Sequence, residues 1–95
     1  MSALIIVDME VLDPVRYEDY KRLASEAIAR YGGRYLVRGG QSEVLDGPWQ
    51  PGRLVVLEFE SVAQAKAWRD SPEYAAAKKV RDECARANMV VVEGL

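Results

Sequence analysis

Residues 3–9, ALIIVDM, are apolar on both alternating faces and rich in β-branched side chains, as a strand covered above and below would be. The period then changes. In LDPVRYEDYKRLASEAIARYGG, residues Tyr17, Tyr20, Ala24, Ala27, Ile28 and Tyr31 recur at spacings of three and four, while Arg16, Glu18, Lys21, Arg22 and Glu26 take the opposite side. This spacing predicts an amphipathic helix. Asp13 is a good N-cap, Pro14 suits the first helical position because its missing N–H would be unpaired there anyway, and Leu12 can staple onto Tyr17. Gly32 ends the helix, since the left-handed conformation wanted just past a C-terminus costs any side chain free energy.

RYLVR opens a second strand that the apolar positions carry from Arg34 to about Leu45, with Gly39-Gly40 as a bulge or sharp bend inside it. A phosphate loop would need this glycine pair to lead from a strand into a helix, with Lys-Ser/Thr or a GxGxxG spacing, and here it leads to Gln41-Ser42 and more strand-like sequence. DGPWQPG, residues 46–52, is a turn, and RLVVLEF after it is another strand apolar on both faces. Ser61 and Gln64 suggest a capping box for a short helix through Trp68. Ser71-Pro72-Glu73 starts a longer helix to about Ala87, with Tyr74, Ala77, Val80 and Cys84 on its apolar stripe, and NMVVVEG closes the chain as a strand.

The order β-α-β-β-α-β is the split pattern of a ferredoxin-like α+β domain, a single unit over residues 1–95 with a four-stranded antiparallel sheet. Right-handed crossovers put both helical segments on one face of that sheet. The other face is left bare although its strands are apolar on both sides, a patch larger than monomers usually expose. The expectation is a homodimer that packs sheet to sheet into an α/β barrel.

Composition narrows the functional classes. The chain has 95 residues, 49% apolar and 29% charged, which suits a folded domain with a modest core. Its net charge of -2, with both signs interspersed, offers no sustained field for nucleic acid or an anionic membrane, so neither is an expected partner. The apolar run Ala3–Val7 lacks a basic leader and is too short for a signal peptide or a membrane span; the expected location is cytoplasmic. There is one cysteine and no histidine. An internal disulfide, the usual zinc sites, Ser-His-Asp triads and imidazole bases are thereby excluded, and no cofactor is expected. Acid or base work falls to carboxylates, tyrosines, lysines or water.

YGGRYLVRGG, DGPW.P.RLVVLEF and AWRDSPEYAAA..VR together resemble the small bacterial proteins of the domain-of-unknown-function 1330 family, within the dimeric α/β-barrel superfamily, over nearly the whole chain. The resemblance implies a ferredoxin-like dimer and no particular reaction. The superfamily includes cofactor-free monooxygenases, lactone isomerases, dye-decolourising haem enzymes and stress-responsive barrels, several of which use a histidine that has no counterpart here.

Arg38 and Glu58 are charged residues set in apolar strands, and antiparallel pairing through the 46–52 turn would bring them close. Two readings stand. They are a structural ion couple, kept because a lone buried charge is costly, or Arg38 anchors a substrate carboxylate or enolate through its planar fork and Glu58 acts as a base. Tyr17, Tyr20, Tyr35 and Tyr74 have core spacing, yet a buried hydroxyl wants a partner, and two of them facing a cleft could bind a small polar ligand. Trp68 packs under the helix break or lines that cleft, Ser71 caps the next helix or joins it, and Arg81 snorkels or reaches it. Cys84 reads as an inert core thiol, and Trp49, at a proline-flanked tip, as a docking residue for a partner subunit or a lid. The preferred function is a small-molecule-binding dimer that takes a carbonyl or carboxylate compound, with a cofactor-free enzyme as its extension. The alternative is an interaction module without chemistry. A cleft of a few hundred cubic ångströms reached by Arg38 and two tyrosine hydroxyls would favour the first, and a filled interior would remove it.

Overall fold

The computed structural model describes residues 2–95. Its elements are β1 (Ala3–Val11), α1 (Pro14–Arg30), β2 (Arg34–Arg38), β3 (Arg53–Phe59), α2 (Val62–Arg69), α3 (Pro72–Cys84) and β4 (Ala85–Glu93). All three strand pairs are antiparallel, in the order β2-β3-β1-β4, so the chain has the ferredoxin-like α+β fold expected of its β-α-β-β-α-β order.

Local chemistry sets the helix ends. Asp13 Oδ1 accepts from the N–H groups of Val15 and Arg16 at 3.1 and 3.2 Å, and the chain leaves α1 through Gly32 at φ 78°. Ser71 does two jobs at the break between α2 and α3: its Oγ donates to the Trp68 carbonyl at 2.7 Å and accepts from Tyr74 N at 3.0 Å. The capping box at Ser61 is only half formed. Ser61 Oγ accepts from Gln64 N at 3.0 Å, but the Gln64 amide reaches away to the Tyr31 carbonyl at 2.7 Å and so caps the end of α1.

Two boundaries differ from the sequence expectation. β2 ends at Arg38 instead of continuing to Leu45: Gly39, at φ 72°, makes a last bond from its N to the Leu54 carbonyl at 2.8 Å and turns the chain out of the sheet. The irregularity in the strand lies earlier, between Tyr35 and Val37, where the register shifts by one residue. The segment after Gly39 is an exposed loop, held at its far end by Asp8, which accepts from Trp49 Nε1 and Gly52 N at 2.8 Å each. The second difference is at α3, which stops at Cys84 rather than Ala87. Ala85–Ala87 pair with Val11–Met9 on β1, and that ladder overrides the helix preference of alanine. No linker separates α3 from β4.

Ile5, Val7, Met9, Leu57 and Phe59 face the helices and pack with Tyr17, Tyr20, Trp68, Tyr74 and Ala77. Leu4, Ile6, Val37, Leu54, Val56, Val90 and Val92 face the other way, with Val90 and Val92 57% and 45% exposed. Among the described residues, no helix is long and apolar enough to cross a membrane.

Candidate functional site

Between α1, α2 and the helix-facing side of the sheet is a cavity lined by Tyr17, Tyr20, Tyr35, Arg38, Arg53 and Trp68 over an apolar floor that includes Met9 and Leu57. It measures about 30 Å3, room for roughly one water molecule and well short of the few hundred cubic ångströms expected of a ligand cleft. The helix stripe that begins at Tyr17 aims two phenols inward, and the pleat of β2 places Tyr35 and Arg38 beside Leu57 and Val55 on the same face.

The polar groups of this cavity are mostly donors. Trp68 is only 1% exposed and its Nε1–H has no partner among the described residues; Arg53 Nε is also buried without an acceptor. The Arg53 guanidinium lies over the Tyr17 ring at 5.7 Å and that of Arg38 over the Tyr35 ring at 4.4 Å. Arg38 also donates to Ser25 Oγ at 3.1 Å, and Ser25 Oγ lies 2.9 Å from Tyr35 Oη. Burial raises the pKa of the Tyr17 phenol and, more strongly, of the Tyr20 phenol, where the neighbouring Tyr74 adds to the effect. Among the described residues, no Asp or Glu lines the cavity.

Arg38, Tyr17, Tyr35 and Trp68 therefore come together as candidates, and Glu58 does not join them. The register shift after Tyr35 puts Arg38 opposite Val55 on the helix face, whereas Glu58 stands opposite Arg34 on the bare face. There it accepts from Arg34 Nε at 2.7 Å, so the ion couple in these strands is Arg34–Glu58. Ser71 is a helix cap. Tyr74 lies behind Trp68, ring centres 4.5 Å apart, and its hydroxyl joins Tyr20 Oη and Arg81 Nη1, each at 3.0 Å, in a buried chain. Arg81 lines a different cleft, between α2, α3 and β4. Cys84 is buried with Sγ 3.3 Å from the Val80 carbonyl, and burial pushes its thiol pKa up.

Arg53, Lys21 and Ser25 are the contributors that sequence reasoning passed over. Arg53 had a signal, a charge at the head of the apolar run LVVLEF, and Lys21 follows Tyr17 by one helical turn. Ser25 had none, because its role depends on where β2 crosses α1.

The fold is similar to several solved structures, all too distant in sequence to carry more than the fold. RPA0582, a protein of unknown function from Rhodopseudomonas palustris, superposes with a TM-score of 0.79 at 20% identity, covering 99% of this chain and 82% of that one. SnoaB, a cofactor-independent oxygenase from Streptomyces nogalater, gives 0.69 at 9% identity over 99% and 93% of the two chains. A dimeric ferredoxin-like protein of unknown function from Thermobifida fusca gives 0.60 at 14% identity over 97% and 92%. No curated protein matches the sequence. Residues 2–95 do match the family described as Domain of unknown function (DUF1330), and the chain belongs to that family.

Proposed function

We propose that the protein binds a small carbonyl or carboxylate compound in the cavity beside the sheet. The observation that carries this reading is the imbalance of the lining: an unpartnered indole N–H, an unpartnered guanidinium Nε, phenols held protonated and a second arginine at the edge, with no carboxylate to satisfy them. A ligand rich in acceptors supplies what is missing. Because the closed volume is small, entry requires Arg38 to swing off Tyr35 and Ser25, which the exposure of Arg38 permits. Arg38 then takes the carboxylate or enolate end of the ligand, and Tyr17 and Trp68 donate from within. Glu58 has no part as a base. The likeness to a cofactor-independent oxygenase extends the proposal to ligands that form an enolate, whose charge Arg38 and Arg53 would stabilise.

The bare face of the sheet is covered, in this reading, by a second copy of the chain. The small closed volume favours a second reading, an interaction module in which these side chains only pack. Cyclohexane-1,3-dione, an enolic acid, distinguishes the two. In NMR titrations the Trp68 indole N–H should shift on adding it, and Ala24→Leu, which fills the cavity, should abolish the shift. If that resonance stays fixed with this dione and with a panel of small ketones and carboxylates, the binding reading falls and the interaction module stands.

A further inference from the structure

The second cleft points to a separate anion site. It measures about 300 Å3 and lies on the other side of Met89 from the aromatic cavity, at the β4 edge. Ala87, Met89 and Val91, all half-buried on the helix-facing side of β4, form an apolar floor. Lys66 and Arg69 from α2 and Arg81 from α3 supply three cations, and among the described residues no carboxylate lines the cleft.

Arg81 is the unusual member. It is only 8% exposed, and a buried guanidinium is costly unless its hydrogens are taken up. Nη1 donates to the Tyr74 hydroxyl at 3.0 Å. Nε has no partner among the described residues, and Nη2 has only a long 3.4 Å contact to Asp82, whose other oxygen is held by Lys78 at 2.8 Å. Nε and Nη2 point the same way along one edge of the guanidinium plane, the edge that grips a carboxylate with two parallel bonds. That edge is the under-used one. Lys66 and Arg69 have no ion-pair partner among the described residues; Arg69 instead lies over the Tyr74 ring at 5.3 Å.

We propose that this cleft binds an amphipathic organic carboxylate, its charged end among Arg81, Arg69 and Lys66 and its apolar body along Met89 and Val91. An apolar floor beneath a cationic wall suits such a molecule better than a bare inorganic anion, which would leave the floor wet. None of the cleft's three cations lines the cavity beside Tyr17, although the two share Met89 as a wall.

The test is calorimetric titration of the full chain with octanoate, with octanol and inorganic phosphate as controls. Octanoate should bind, and both controls should bind at least about tenfold more weakly, since each offers only half of the recognition. Arg81→Met will also disturb the buried tyrosine chain, so the deciding variant is the double change Lys66→Gln with Arg69→Gln at the cleft wall. It should weaken octanoate by on the order of tenfold with the melting temperature preserved. Tyr17→Phe, in the other cavity, should leave octanoate affinity unchanged. No octanoate binding, octanol or phosphate binding as tightly, or the double variant binding normally would each overturn the proposal.

Discussion

Tyr20 sits where three phenol and guanidinium groups meet, its hydroxyl 3.0 Å from that of Tyr74, which in turn accepts from Arg81. Burial, and then Tyr74, hold its pKa far above the ordinary phenol value of about 10 that the unfolded chain would show. The folded state thus keeps a proton that the unfolded state releases, so this group leaves stability unchanged below about pH 10 and lowers it as pH rises beyond, at a limiting slope of about 1.4 kcal/mol per pH unit. Tyr20→Phe removes that dependence. Denaturant melts between pH 9 and 11 should show a shallower loss for the variant, at a cost near neutrality of about 1 kcal/mol for the missing hydrogen bond. An unchanged alkaline slope would mean that Tyr20 ionises in the folded protein. Arg38 and the tyrosines were legible one by one, because charges and tyrosines stand out in apolar runs, whereas Ser25 was not. Their grouping was not: a single shifted residue near Leu36 decides that Arg38 faces the cavity and that Arg34 is the partner of Glu58.

At the level of strands and helices, Gly39 has two reasons to be glycine. Its φ is 72°, and a Cβ there would run into the Arg53 guanidinium. Gly39→Val should lower stability by on the order of 2 kcal/mol in chemical denaturation and displace Arg53 from above Tyr17, with no gain or loss of nucleotide affinity. A variant as stable as the parent would remove this account of how β2 ends. The elements themselves were readable from caps and periodicity, Asp13, Ser61 and Ser71 above all. What sequence could not give was where a ladder runs out of partners. Val44 and Leu45 continue the apolar rhythm of a strand, yet they lie 42% and 89% exposed because no neighbour pairs with them. The alanines at 85 and 87 read as helix until β1 claims them.

For the molecule as a whole, the outstanding fact is a sheet covered on one side. Ile6 lies near the middle of the bare face, between Val56 on β3 and Val90 on β4. If a second copy packs there, light scattering should give about twice the 10.6 kDa chain mass. Ile6→Glu should then yield a folded monomer, since the new carboxylate meets solvent in the single chain and a desolvated apolar partner in the pair. A monomeric parent, or a variant that still pairs, would refute sheet-to-sheet packing. The bare face was visible in the sequence, in Leu4, Ile6, Leu54 and Val56, because strands apolar on both sides announce two covers and the chain provides helices for one.

The junction at Cys84 bears on how two copies can associate. Its carbonyl accepts from both Leu12 N and Asp13 N, at 2.8 and 3.1 Å, and the next residue is already in β4. Exchange of a terminal strand between subunits needs a hinge, a few residues free to straighten while the rest stays folded. Here the last turn of α3 and the corner between β1 and α1 share one carbonyl, so β4 has nothing to pivot on. To leave, it must unpick the helix before it and the turn across from it at once. A pair built on the bare face would thereby be steered toward assembly from finished subunits, docked as rigid bodies, and away from the swapped and runaway forms to which an edge strand otherwise lends itself.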